Sequence, residues 1–272
     1  MTDLLDSVVE AHGGLKRWNE METVSAHLAQ GGVTREMVGQ KGVLDDVFVT
    51  ASLHKERVSH YPFGAAGRRS VFTPARGAIE NDDGTVVGAL DQPWASFAGN
   101  TLQMPWTASQ LAYFVGKAMW TYLTQPFTFT LPGFEAAELE PWRENGEQWR
   151  RLRVVWPGYL ASLNTVLTIY VGDDGLIRRE DYDVEIMGSS AGALHVRLHA
   201  DRRDHAPHWA PNPSADTGGP GTHRATADLH RTKRDHIRIT LLTRTVHEFP
   251  GGRHAHDRPA RRRVCRTHSA RS

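Results

Sequence analysis

TASQLAYFVGKAMWTYLT, residues 107–124, repeats its apolar side chains at helical spacing: Leu111, Val115, Ala118, Met119 and Tyr122 share one side. Gln110, Lys117, Thr121 and Thr124 fall on the opposite side, so the spacing predicts an amphipathic helix with Lys117 and Thr121 turned to solvent or to a cavity mouth. Thr107 followed by Gln110 fits a capping box, in which a hydroxyl caps the helix and an amide three residues on reaches back. Pro126 ends the element, because a proline disfavours helix in the residue before it. Strand-like sequence lies on both sides. The pattern is α+β: this central helix packed on a large antiparallel sheet. A helix in that position is either plain core or the wall of a ligand cavity.

Upstream, Thr2 can cap a first helix whose stripe is Leu4, Leu5, Val8 and Val9, with Asp3 and Asp6 at its positive end. His12-Gly13-Gly14 interrupts it before a short turn carrying Trp18. From Thr23 the pattern changes to short β-prone runs: Thr23–Gln30, Val43–His54, Arg57–Tyr61, Arg69–Thr73, Gly77–Glu80 and Thr85–Leu90. Downstream, Phe134–Trp142 and Gln148–Trp156 flank Asn145-Gly146, a two-residue hairpin signal. That register sets Trp142 opposite Trp149, Glu140 opposite Arg151, Glu138 opposite Arg153 and Leu139 opposite Leu152. A second hairpin, Thr165–Val171 and Leu176–Ile186, turns at Asp173-Asp174-Gly175. In its return strand Tyr182, Val184 and Ile186 alternate inward, while Asp181, Asp183 and Glu185 face outward.

The net charge of +1 hides an asymmetry. Residues 1–196 carry 16 Lys+Arg against 24 Asp+Glu, whereas residues 197–272 carry 16 against 7 and hold ten of the fifteen histidines. The sequence therefore divides into a ligand-binding domain over 1–196 and a basic, His/Arg/Pro-rich tail over 197–272. Apart from His236–Val246, which has strand character, the tail buries too little apolar surface to offset chain entropy, and disorder is expected. Two origins stay open for it: a natural tail, or out-of-frame translation of a GC-rich gene. The start, MTDLLDSVVEAH, lacks the basic region and long apolar core of a signal peptide. No run reaches the roughly 18 apolar residues of a membrane span. These features predict a soluble, cytoplasmic chain, and the single Cys265 excludes an internal disulfide.

Ala11-His12-Gly13-Gly14-Leu15-Lys16-Arg17-Trp18 followed at once by strand sequence resembles the superfamily of lipoprotein-sorting carriers and lipid-binding lipoproteins, the LolA-like half-barrels. The late hairpin Ile169-Tyr170-Val171-Gly172-Asp173-Asp174-Gly175-Leu176-Ile177-Arg178-Arg179 and the order helix, strands, helix, strands support it. The resemblance covers residues 1–196. It implies a curved half-barrel holding acyl chains between sheet and helices. Two features depart from it: such carriers are exported, and their sheet continues where this sequence turns basic.

An apolar site is the chemistry the residues support. Trp94, Phe97, Met104, Trp106, Phe114, Met119, Tyr122 and Phe127 flank or form the helix, with Trp120 towards its polar rim and Phe129 beyond. Aromatic and methionine side chains line most small-molecule pockets. The expected partner is a hydrophobic small molecule or lipid, without cofactor or metal. An isomerase, cyclase or hydrolase acting on an apolar substrate in the same cavity is the alternative. Its acid–base candidates are His12, His27, His60, Tyr61, Asp181 and Asp183, which would have to meet within hydrogen-bond reach. No nucleophile elbow, phosphate loop or His-Glu-x-x-His motif occurs. His254, His256, Cys265 and His268 lack the tight pairing of a zinc site. The basic tail offers charge for nucleic acid but no interleaved aromatics or recognisable module.

Overall fold

Two short helices start the chain. In α1 (Asp3–Ala11) the Thr2 hydroxyl accepts from the Leu5 amide, and Leu4, Leu5, Val8 and Val9 are buried, as the spacing predicts. His12 closes the helix: its Nδ1 donates to the Val8 carbonyl at 2.7 Å. After the two glycines, α2 (Gly14–Asn19) presents a buried Trp18. The computed structural model describes residues 2–30, 36–100, 104–144, 146–184 and 186, and the backbone of three further strands at 196–200, 222–231 and 236–244.

Six strands follow in a meander: β1 (Thr23–Gln30), β2 (Val47–Ser52), β3 (Val58–Tyr61), β4 (Arg68–Thr73), β5 (Arg76–Asn81) and β6 (Val86–Asp91). Their bounds match the β-prone runs to within a few residues, because β-branched alternation and turn residues are local signals. After the central helix, α3 (Ala108–Thr124), come β7 (Glu135–Glu144), β8 (Glu147–Val155), β9 (Val166–Val171) and β10 (Ile177–Tyr182). These ten strands form two antiparallel arms, β6 to β1 and β10 to β7. Between them run β11 (Val196–Ala200), β12 (Thr222–Arg231) and β13 (His236–Arg244), β13 pairing with β1 and β11 with β10. The sheet is curved and stays open, with β6 and β7 as its edges.

The backbone of β11 and β12 runs as strands in stretches where composition predicts disorder, and β13 falls within His236–Val246, which has strand character. Without these strands the facing flanks of β1 and β10 would carry amides and carbonyls that need partners, and His-Ile-Arg-Ile-Thr alternates at the strand period. His254, His256, Cys265 and His268 lie outside the described residues.

Helix α3 has the predicted cap. Thr107 Oγ1 accepts from the Gln110 amide at 3.1 Å, and Gln110 Oε1 accepts from the Thr107 amide at 2.9 Å. Gln125 is extended ahead of Pro126, as expected. The predicted polar side is overturned: Lys117, Thr121 and Thr124 are buried together with Leu111, Val115 and Met119. The helix is enclosed rather than seated on a surface. The threonines tolerate this because each hydroxyl donates to the carbonyl four residues back, Thr121 to Lys117 and Thr124 to Trp120. Against β4 and β5 the approach is close enough to demand glycine. A Cβ at Gly116 would stand 2.5 Å from Phe72 Cγ, and one at Gly77 would stand 2.7 Å from the Ser109 carbonyl oxygen.

The β7–β8 hairpin keeps Trp142 opposite Trp149, with Gly146 at φ 83°; Asn145 lies outside the described residues. Beyond Trp142 the predicted register slips by one. Leu139 faces Arg151, Glu138 faces Leu152 and Ala137 faces Arg153, because Glu140 and Pro141 bulge out of β7. Proline has no amide to give the ladder, and a bulge accommodates it. The slip hands Glu138 to Arg150, in a two-pronged pair at 2.7 and 2.8 Å. The pair is exposed, so Glu138→Ala should cost no more than about 1 kcal/mol in a urea melt. A loss several times larger would show that the pair holds the bulged hairpin together.

Candidate functional site

The aromatic residues expected to line one pocket form separate clusters. Phe97, Trp106 and Phe114 pack edge to face, with centroids at 5.2 and 5.0 Å, and Tyr113 joins them from the next position of α3. All four are buried. Trp94 and Met104, from the same two flanking segments, are 48% and 45% exposed. Beyond the other end of α3, Phe127 stacks on Trp18 at 4.4 Å, and Phe129 meets Phe134 and Trp156. Met119 is fully buried. Trp120, expected at the rim, is also buried and donates from Nε1 to the Ser52 carbonyl. Tyr122 reaches across to β10, where its hydroxyl is hydrogen-bonded to that of Tyr182.

Three polar groups are drawn inside the fold, and of their members Glu56 and Glu180 escaped the sequence reading of the site, whereas His60 is one of its acid–base candidates. Lys117 Nζ sits 4.3 Å from the Trp94 ring centroid and 5.7 Å from that of Tyr113. Glu56 shares this corner. Burial raises its carboxyl, which the Lys117 charge partly opposes, and its Oε1 accepts from the Ala161 amide. Burial likewise pushes the Tyr113 phenol up to about 12. On the inner face of β3, His60 Nδ1 lies 3.0 Å from Ser70 Oγ, and burial holds its imidazole down to about 3. The third group is Glu180, 3% exposed, on the inner face of β10. Burial, with the charge of neighbouring Asp181, pushes its carboxyl up to about 8.

Glu180 takes that place by strand alternation. It stands opposite Ile169, which stands opposite Leu152, and it shares a face with Tyr182. The outward neighbours are fully engaged. Asp181 accepts from Arg179 and from the Tyr170 hydroxyl, and Arg179 also donates to Glu144. Asp183 is exposed, as predicted; Glu185 lies outside the described residues.

The six acid–base candidates do not assemble. His12 closes α1, His27 pairs with Asp46 on the outer face of β1, and Tyr61 reaches Asp82 at the end of β3. Among the described residues no group of three His, Cys, Asp or Glu could hold a metal ion. No helix among them is long and apolar enough to cross a membrane.

No protein-family model matches the chain, and no curated protein matches it. Solved structures similar to it include a LolA superfamily protein from Nitrosomonas europaea, at 9% identity and a TM-score of 0.42, covering 90% of this chain and 94% of that one. A DUF1329 family protein from Desulfovibrio piger ATCC 29098 matches at 9% identity and 0.38, over 88% and 92% of the two chains. LprF from Mycobacterium bovis matches at 9% identity and 0.33, over 92% and 94%. At such low identity and superposition, function has to be argued from the side chains.

Proposed function

We propose that the chain binds a hydrophobic small molecule or acyl chain between the inner face of the sheet and helices α1 and α3. The observation that supports this is the buried cluster of Phe97, Trp106 and Phe114 at α3, with exposed Trp94 and Met104 next to it in sequence. Methionine and aromatic side chains adapt to varied apolar ligands. The ligand residues expected from the sequence keep their roles in this proposal, with Trp94 and Met104 at the mouth and Met119, Tyr122 and Phe127 deeper. Placement in the cytoplasm is part of the same proposal and is checked by cell fractionation.

The test is titration with the neutral dye N-phenyl-1-naphthylamine. Its fluorescence should rise on binding at micromolar concentration. Trp106→Ala should weaken binding at least fivefold while keeping a cooperative melt. A dye that stays dark at those concentrations would sink the reading.

A further inference from the structure

Glu180 lies on the inner face of β10 with one carboxyl oxygen left unbonded. Its Oε2 is buried with no hydrogen-bond partner, and only 3% of the residue is exposed. Buried polar atoms in folded proteins are nearly always satisfied, so an orphaned carboxyl facing the ligand side of the sheet asks for a partner that is not protein. Its surroundings define that partner. Across β9 and β8 stand Ile169 and Leu152, and the next inner row holds Leu167 and Val154, all fully buried. Two residues along β10 is Tyr182, whose hydroxyl is taken by Tyr122 of α3. Among the described residues the charge that acts on Glu180 is that of Asp181, which points to the opposite face and is negative.

We propose that Glu180 is the polar anchor of the inner-face site and takes the neutral hydroxyl end of an otherwise apolar ligand whose chain lies along the Ile169 and Leu167 rows. Alternatives of other charge fit worse. An anionic head would meet the Asp181 field, and Ile169, Leu152, Leu167 and Val154 offer it no cation. An ammonium would require the carboxyl to ionise and an ion pair to be buried, at a desolvation cost that the apolar rows do nothing to offset. A protonated carboxyl offers one donor and one acceptor, and a hydroxyl answers both. With the carboxyl pushed up to about 8, the protonated form prevails at neutral pH. This inference rests on the carrier reading above and names the head group that reading leaves open.

The experiment displaces bound N-phenyl-1-naphthylamine from the full chain at pH 6.5 with decanol, decanoate or decylammonium. Decanol should compete at least tenfold more tightly than either ion. In Glu180→Leu decanol should weaken about tenfold while dye affinity stays within twofold. Glu180→Gln, which keeps a neutral donor and acceptor, should hold decanol within threefold of the parent. Neither variant should melt below the parent, because each removes an unpartnered carboxyl. Unchanged decanol affinity in Glu180→Leu, or decylammonium or decanoate binding as well as decanol, would overturn the anchor while leaving the carrier reading standing. Failure of the dye and all three chains to bind would overturn both.

Discussion

Replacing Gly116 with valine is expected to abolish the cooperative unfolding transition, and Gly116→Ala alone to cost about 2 kcal/mol or more. Helix propensity argues the other way, since alanine is better than glycine in a helix interior by about 1 kcal/mol. The contact decides. A Cβ at this position would stand 2.5 Å from Phe72 Cγ, and Phe72 is fully buried on β4 with no room to retreat. Either α3 lifts off the sheet or Phe72 leaves its rotamer. The double variant Gly116→Ala with Phe72→Ala should lose less than the two single losses added together, because it removes the Cγ and ring that the new Cβ would meet. Urea melts measure both. If Gly116→Ala is as stable as the parent, α3 does not lie on β4 as described.

Stability should be greatest between about pH 4.5 and 6.5 and fall on both sides, for two separate reasons. Burial raises the folded Glu180 carboxyl from 4.5 to about 8, so between those values the folded chain holds a proton that the unfolded chain has lost. Its contribution is complete below 4.5 and is lost as pH rises through 8, at roughly 1.4 kcal/mol per pH unit. Burial lowers the folded His60 imidazole from 6.5 to about 3, so there the unfolded chain holds the extra proton. That contribution is complete above 6.5 and is lost as pH falls through 3. Between 4.5 and 6.5 the two slopes cancel. From pH 6.5 to 8 Glu180 acts alone, and the parent should lose roughly 2 kcal/mol. Glu180→Gln should remove that alkaline limb, and His60→Gln should remove its acid counterpart. Urea melts from pH 3 to 9 give the curve. An alkaline limb that survives in Glu180→Gln would show that the carboxyl titrates normally.

The Thr107–Gln110 box, the stop at Pro126, the strand bounds from Thr23 to Asp91 and the Trp142–Trp149 pairing were legible in the sequence. Each depends on residues within a turn or a hairpin of one another. The slip beyond Pro141 was half legible, since proline announces trouble in a ladder but not which partner strand yields. Glu180 was legible in principle: the inward alternation of Tyr182, Val184 and Ile186 runs back to it. Its charge argued for the surface, and hydrophobic patterning assigns faces by polarity.

The sequence by itself determined where helices and strands begin and end, and that a long amphipathic helix lies among antiparallel strands, because caps, turns and periodicity are short-range physics. Tertiary structure decided which faces meet. It enclosed the Lys117 side of α3, divided the aromatic residues into clusters, set the backbones of β11 to β13 between the two arms and buried a carboxyl with an unpartnered oxygen on the inner face of β10. These outcomes depend on contacts between residues far apart in the chain. The burial of a side chain depends on what arrives to cover it, and its own neighbours in sequence do not fix that.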